Sequence, residues 1–238
     1  TNAVANPLKK LASQTAIYGL GSILPRVITF LYGLVLTYVF HEPKEMSANI
    51  AFYAYISFFN ILFTYGMETA FFNFSRKTED KESVFSTAFI SIFASTIVFS
   101  LILCLFSNSI ANLAKEPGHS NYVVWCVLTI ATDALMAIPY ARLRLQNRPR
   151  VFAGLKLLHI TVFMAINIFY FNICKPAFLK GDTSFFASCY DPTVGVGYAF
   201  LAGLIANIPP LLLLSLDFMK VKMRFDKELW KKMMLYAW

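Results

Sequence analysis

Two residues of opposite charge lie deep inside apolar stretches of the sequence, where an ionised side chain is energetically unfavourable unless it has a partner or water. Arg26 follows Pro25 within the apolar run 15–40, and Asp133 lies within the run 122–145. At helical rise, each is roughly 16 Å from one end of its run. Charges at that depth face a protein interior or a wet cavity. The pattern predicts either an Arg26–Asp133 ion pair that locks two helices together or a shared polar cavity able to accept an anion.

A third ionisable group, Glu68, lies near the end of the run 48–74. We expect its carboxylate to reach lipid headgroups, to pair with Arg76 or Arg142, or to stay hydrated at the membrane boundary. These alternatives remain open at the level of sequence.

Composition places the chain in a membrane. Of its 238 residues 58% are hydrophobic and only 14% are charged, whereas soluble domains carry about a quarter charged residues. The net charge of +8 comes from basic residues between apolar runs, which is typical of cytoplasmic loops and argues against a nucleic-acid-binding face.

Hydropathy predicts an all-α polytopic bundle, with a cytoplasmic segment over 1–14, a six-helix lobe over 15–218 and a cytoplasmic linker leading into a seventh span over 219–238. The seventh span should begin near Leu229, and the chain is expected to be a fragment because it lacks an initial Met and ends in a new apolar run. The six predicted spans are 15–40, 48–74, 84–106, 122–145, 151–174 and 195–218.

Charge asymmetry between the loops predicts the orientation. Of the 21 Lys and Arg residues, 16 fall on the side of the amino terminus, 4 on the other side, and Arg26 inside the membrane. Positive loops stay in the cytoplasm, so the amino terminus should be cytoplasmic. The basic segment 220–232 has one alternative interpretation, a helix that binds the membrane surface.

Prolines and cysteines predict further local features. Pro25, Pro209 and Pro210 each remove a helical hydrogen bond and should kink their spans, either as simple packing features or beside a cavity. Asn207 is expected to hydrogen-bond to a backbone carbonyl group that the Pro209-Pro210 pair leaves without its helical partner.

Cys174 and Cys189 fall in or beside one outer loop and are candidates for a disulfide in an oxidising compartment.

The sequence contains no motif for a nucleotide, a cofactor or a known hydrolase, and its histidines, His41, His119 and His159, are scattered. We therefore expect no cofactor, no metal site and no enzymatic activity.

Four segments together resemble the amino-terminal half of Wzx-type flippases, which move lipid-linked polysaccharide units and belong to the multidrug/oligosaccharidyl-lipid/polysaccharide exporter superfamily. The segments are LKKLASQTAIYGLGSILPRVITFLYGLVLTYVF, YGMETAFFNFSRK, ARLRLQNRPRVFAGLKL and FDKELWKKMMLYAW. Each motif is loose, but they cover nearly the whole chain in order.

The resemblance implies two six-helix lobes around a cavity that opens alternately to either side of a bacterial inner membrane. It implies that Arg26 meets the diphosphate of an undecaprenyl-diphosphate-linked oligosaccharide, a unit of O-antigen, capsule or exopolysaccharide. Asp133 and Glu68 are then candidates for gating or for coupling to Na+ or H+. From charge alone, Arg142, Arg144 and Arg148 are candidates for attracting the anionic headgroup.

Three other functions stay open. A cation or drug antiporter of the same superfamily would use Asp133 and Glu68 and would not need a central arginine. A membrane-embedded glycosyl- or acyltransferase would need an acid/base constellation at a membrane boundary, and the sequence shows none. The third alternative is a scaffold that transports nothing.

Overall fold

The computed structural model describes the backbone of residues 7–39, 43–181, 183–218 and 221–237, and the side chains in these ranges except 7–11, 37–39 and 43–46. All regular elements within these ranges are helical. They are α1 (Pro7–Val39), α2 (Pro43–Thr64), α3 (Met67–Lys77), α4 (Lys81–Leu105), α5 (Ser107–Leu113), α6 (Ser120–Leu145), α7 (Pro149–Asn167), a π-helix (Ile168–Cys174), α8 (Lys175–Leu179), α9 (Phe185–Ser188), α10 (Gly197–Phe218) and α11 (Lys227–Ala237).

Six helical stretches are long and apolar enough to cross a membrane, which confirms the predicted all-α polytopic bundle. They are Ala12–Leu36, Ser47–Lys77, Lys81–Leu105, Ser120–Leu145, Pro149–Leu179 and Gly197–Phe218. Successive spans are joined by short connections and run in alternating directions. The end of the bundle that contains residues 77–81, 145–149 and 218 is called the basic end here, because most of the Lys and Arg residues lie there.

The centre of the bundle is α6. In its most apolar window 61% of the residues are buried, against 17% for α1 and for α4. The reason is a row of small and branched side chains at helical spacing, Ile130, Ala134 and Ile138, all at most 2% exposed. α6 packs against α2, α4, α5 and α10, while α7 packs against α10 and α1.

The second span is broken where the sequence predicts one continuous helix. Tyr65 and Gly66 both have positive φ, 33° and 72°, and separate α2 from α3. Gly66 also lies so close to the backbone of α11 that a Cβ there would be 2.7 Å from the carbonyl oxygen of Ala237. Glycine is required by both constraints, and the break redirects α3 towards α6 and α11.

The fifth span changes to π-helical geometry over Ile168–Cys174, a rare form that often marks functional sites.

The predicted Cys174–Cys189 disulfide is wrong for this structure, in which both cysteines are free. Cys174 is fully buried in an aromatic cluster with Phe171 and Tyr198, and Cys189 packs against the edge of that cluster. The two thiols are neighbours but are held by packing rather than by a bond.

The helix expected near Leu229 is present as α11, which begins at Lys227 and is 11 residues long. Its apolar face packs against α3 and α4 with Met233 fully buried. The preceding segment is fixed to α4, because Ser86 Oγ donates to the Arg224 carbonyl at 2.7 Å and the Asp226 amide donates to Thr87 Oγ1 at 3.2 Å. The segment after span six is therefore docked on the bundle. That α11 begins a seventh span stays a prediction.

We predict that the close contact between α1 and α7 makes Gly21 indispensable while Gly19 is replaceable. A Cβ at Gly21 would lie 2.8 Å from Ala153 Cβ and 2.9 Å from Ala153 Cα, whereas one at Gly19 would meet nothing within 4 Å. Gly21→Ala should destabilise the protein by about 1–3 kcal/mol through overpacking, and Gly19→Ala should be neutral or add up to about 1 kcal/mol of helix propensity. Thermal unfolding in detergent measures both, and equal unfolding temperatures would contradict the contact.

Candidate functional site

Lys156 of α7 interacts electrostatically with four ionisable side chains from three other helices, α1, α3 and α6. Lys156 interacts electrostatically with Asp133 most strongly, and also with Arg144, Glu68 and Arg26. We call these residues, together with His159 and Asn207, the polar track, because they extend from the basic end to the middle of the spans.

At the basic end of the track, Arg144 and Glu68 form an ion pair, with each side chain about one-third exposed (36% and 37%). The Arg144 guanidinium also lies over the rings of Phe72 and Phe152, at 5.0 and 5.8 Å from their centroids. The break at Gly66 makes this pair possible, since α3 then starts directly beside α6.

The predicted pairing of Glu68 with Arg76 or Arg142 is wrong. Arg142 and Arg144 are two residues apart on α6 and so point about 200° apart around the helix. Arg142 faces α4, with its guanidinium 4.6 Å from the centroid of the Phe85 ring. It lines a separate cavity of about 190 Å³ together with Arg148 and Asp217, which form an ion pair at 2.6 Å. Arg142 is therefore not part of the polar track.

Lys156 is the central residue that sequence reasoning missed, because it was counted among the basic residues of the loops. It lies seven residues inside the span that starts at Pro149, roughly 10 Å deep. Its Nζ is 4.3 Å from the centroid of the Tyr140 ring, a cation–π contact that partly replaces hydration. The available signal was a lysine embedded in the apolar sequence VFAGLKLLHITVF.

In the middle of the bundle, Asn207 of α10 holds Asp133 of α6. The Asn207 amide group is fully buried, and its Nδ2 lies 3.1 Å from Asp133 Oδ1, 2.9 Å from Thr132 Oγ1 and 3.3 Å from the Thr129 carbonyl oxygen. Asn207 thus bonds to a neighbouring helix, and the expectation that it satisfies a carbonyl freed by the proline pair is wrong. Asn207 Oδ1 is also buried, and the Asn207 side chain interacts with the ring of His159.

His159 meets one of the carbonyl groups that the prolines leave free. Pro209 and Pro210 lie inside the continuous helix α10, as Pro25 does in α1. Pro210 lacks the N–H group that would bond the carbonyl of Ala206, four residues earlier. The ring of His159 interacts with the Ala206 backbone and with the Asn207 side chain. The Ala206 carbonyl of α10 is therefore part of the polar track.

Arg26 lies on the exposed surface of α1, 14 residues from one end of its span and 10 from the other. The ion pairs among the described residues do not include one between Arg26 and Asp133, so the predicted direct pair is wrong. The reason is the packing order: α1 packs on α7, and Lys156 of α7 interacts with both charges. Arg26 lies at mid-depth in its span, and the ion pairs among the described residues give it no acidic partner.

The charges along the track leave an excess of one positive charge, since Arg26, Arg144 and Lys156 face only Glu68 and Asp133. Glu68 pairs with Arg144. Asp133 accepts a hydrogen bond from Asn207 and interacts electrostatically with Lys156, but the ion pairs among the described residues do not include a Lys156–Asp133 contact. Arginine and lysine at a partly exposed site can bind phosphate oxygens through charge-assisted hydrogen bonds. The arrangement is therefore suited to an anion.

We predict that Asp133 and Lys156 stabilise one another. Lys156→Met leaves a carboxylate inside the bundle without its cation, and Asp133→Asn leaves the reverse, so each single variant should unfold at a lower temperature. The double variant should regain part of the loss, with a coupling energy on the order of 0.5–3 kcal/mol. A thermal-unfolding double-mutant cycle measures this energy, and strict additivity would show that the two groups do not interact.

Comparison with known proteins places the chain in a family. A family model described as polysaccharide biosynthesis protein matches residues 48–175, more than half of the 238 residues. The match runs from α2 to the start of α8 and contains Glu68, Asp133, Arg144 and Lys156 of the track. No curated protein and no solved structure matches the chain. The chain belongs to this family of polysaccharide biosynthesis proteins and is a multi-pass membrane member of it.

Proposed function

We propose that this protein is a transporter that flips a polyprenyl-diphosphate-linked glycan across the bacterial inner membrane, and that it is not an enzyme. The observation that carries the proposal is the polar track, with its excess positive charge and with Arg26 at mid-depth. A transporter of such a glycan needs a path of this kind, because its charged headgroup has to cross the hydrocarbon.

The polar headgroup is the part of the lipid-linked glycan that cannot cross the hydrocarbon core unaided. A sugar diphosphate carries several charges and hydroxyl groups, and moving these into hydrocarbon without partners has a prohibitive free energy. Arg26 and Lys156 offer cations inside the spans, and Asp133, Asn207 and His159 offer groups that hydrogen-bond to hydroxyls. The polyprenyl tail needs no such help and stays in the bilayer.

The positions of the cations suggest a route. Arg144 lies at the basic end. Gly21 of α1 lies against Ala153 of α7, so Lys156, three residues beyond Ala153, and Arg26, five residues beyond Gly21, lie about 5 and 8 Å deeper than this contact. With the basic end in the cytoplasm, as the distribution of Lys and Arg favours, a diphosphate would meet Arg144 and Lys156 first and Arg26 near the midplane. Translocation by alternating access would need a second lobe to complete the cavity on the exposed side of α1.

One observation also supports a second candidate function, that of a cation-coupled antiporter of the same superfamily. Asp133 lies at mid-depth, bonded by the buried Asn207 amide next to the Thr132 hydroxyl, and a carboxylate with a hydroxyl oxygen beside it suits a proton or Na+. If the protein is a flippase, Asp133 couples the movement of an ion to the movement of the glycan. The two functions differ in what crosses the membrane.

We predict that Arg26→Gln and Lys156→Gln slow flipping in the whole protein, reconstituted in proteoliposomes with a fluorescent undecaprenyl-diphosphate glycolipid. Each change removes one charge-assisted bond of about 1.5–3 kcal/mol, so flipping should fall by about 10- to 100-fold. Arg150→Gln, at an exposed arginine in the first turn of α7, is the matched control and should flip normally.

Folding of every variant is checked by gel filtration and thermal unfolding. Normal flipping by folded Arg26→Gln and Lys156→Gln would contradict the assigned path. Export of a cationic dye by a wild-type protein that flips no glycolipid would favour the antiporter.

A further inference from the structure

The helix α11 lies on the break between α2 and α3 and is connected to both residues that form it. A Cβ at Gly66 would be 2.7 Å from the carbonyl oxygen of Ala237, the last residue of α11. Tyr65 Oη is 2.7 Å from Ser91 Oγ of α4, and Trp230 Nε1 of α11 donates to the same Ser91 oxygen at 2.8 Å. An indole nitrogen only donates, so the Ser91 hydroxyl accepts from Trp230 and keeps its own hydrogen for Tyr65. We call these two hydrogen bonds the relay.

The break has a backbone conformation that needs support from its surroundings. Tyr65 has a φ of 33°, which is unfavourable for any residue other than glycine. Such a conformation persists only where neighbouring parts of the structure impose it. The relay holds the Tyr65 side chain, and α3 packs against α4, α6 and α11. The contacts of α11 therefore help to impose the break.

The break in turn positions one ion pair of the polar track. Glu68 lies two residues beyond Gly66 and pairs with Arg144. A regular helix through Tyr65 and Gly66 would place α3 on the axis of α2 and would turn Glu68 with it. The pair therefore depends on the break and, through the break, on α11.

The attachment of α11 itself is one-sided. Of its described side chains Met233 is the one that is fully buried, whereas Leu235 is 85% exposed. Elements with few buried contacts open at a lower free energy than the core. The segment 221–226 is held more firmly, because the fully buried hydroxyls of Ser86 and Thr87 bond to its backbone. Release is therefore expected at the carboxyl end of α11, which is the end that lies on the break.

We infer that α11 is a clamp on the break that holds Glu68 on Arg144, so that release of α11 frees Arg144 for an anion. The coupling between α11 and this ion pair stands by itself, whereas its use at the entrance of the polar track rests on the proposed function. Such coupling is reciprocal. An anion that displaces Glu68 from Arg144 should loosen α11, and a diphosphate headgroup would in this way open the basic end as it binds.

The test measures release of α11 in the whole protein as the reactivity of a cysteine at position 233. The native cysteines are replaced, Met233→Cys is introduced, and its rate of modification by a water-soluble maleimide is measured in detergent. Because Met233 is fully buried, modification requires α11 to leave the bundle. Phe200→Cys, a 1% exposed site in a different cluster, reports general unfolding and should stay unreactive.

Two pairs of variants separate the clamp from general packing effects. Glu68→Gln should raise the rate at position 233 by about two- to fivefold, as expected for a partly exposed ion pair. Glu79→Gln neutralises an exposed carboxylate at the same end and should not raise it. Ser91→Ala removes the relay and should raise the rate about fivefold or more. Ser95→Ala, on the next turn of α4, removes only a bond within its own helix and should have no effect.

Inorganic pyrophosphate is the probe for the anion. It should raise the rate at position 233 when Glu68 is present and leave the rate unchanged in Glu68→Gln, where Arg144 is already free. Three results would each overturn the inference: equal rates for Ser91→Ala and Ser95→Ala, an unchanged rate in Glu68→Gln, or a pyrophosphate effect that is the same with and without Glu68.

These outcomes are separate from the transport assay. The expected coupling in a protein that flips no glycolipid would support the clamp and contradict the proposed transporter. Flipping by wild-type protein without this coupling would support the transporter and overturn the clamp.

Discussion

Charge inside hydrocarbon is the constraint on which the arrangement of this lobe depends. An ionised side chain in a span is tolerated only with a partner, a protein interior or water. Lys156 meets this condition through Asp133 on one side and the ring of Tyr140 on another. Arg144 meets it through Glu68 and two phenylalanine rings. Arg26 interacts electrostatically with Lys156, a like charge, and the described ion pairs give it no acidic partner. Its exposed position on α1 therefore requires a wet cavity or another part of the protein beside it.

Breaks in regular helix geometry bring these charges together. The positive φ angles at Tyr65 and Gly66 place Glu68 within reach of α6, and Pro210 leaves the Ala206 carbonyl for His159. The close approach at Gly21 brings α1 against α7 and hence Arg26 near Lys156. Small or imino residues thus position the polar groups, although they take no part in binding themselves.

The sequence predicts the fold well and the site only in part. Hydropathy is a local property of 20-residue windows, so all six spans were predictable, and Arg26 and Asp133 stood out as charges within them. Pairing depends on which helices are neighbours and on helix rotation, which hydropathy does not contain. For that reason the sequence leaves Arg26 and Asp133 as either a direct pair or parts of a shared cavity, and the direct pair is wrong. It leaves Glu68 to lipid headgroups, to Arg76 or Arg142, or to water, and does not predict Arg144. It places Lys156 with the basic residues of the amino-terminal side and not in the polar track. The π-helix and the break at Gly66 had no clear signal in the sequence.

The proposed role of Arg26 is to face an aqueous path used by an anionic headgroup. It is tested most directly by substituted-cysteine labelling of the whole protein, with the native cysteines replaced and Arg26→Cys compared with Leu101→Cys, a 60% exposed site on α4. We predict that a water-soluble thiol reagent modifies the cysteine at position 26 and not the one at position 101. Undecaprenyl diphosphate should slow that modification. A cysteine at position 26 as unreactive as the one at position 101 would place Arg26 against lipid or protein and contradict the account.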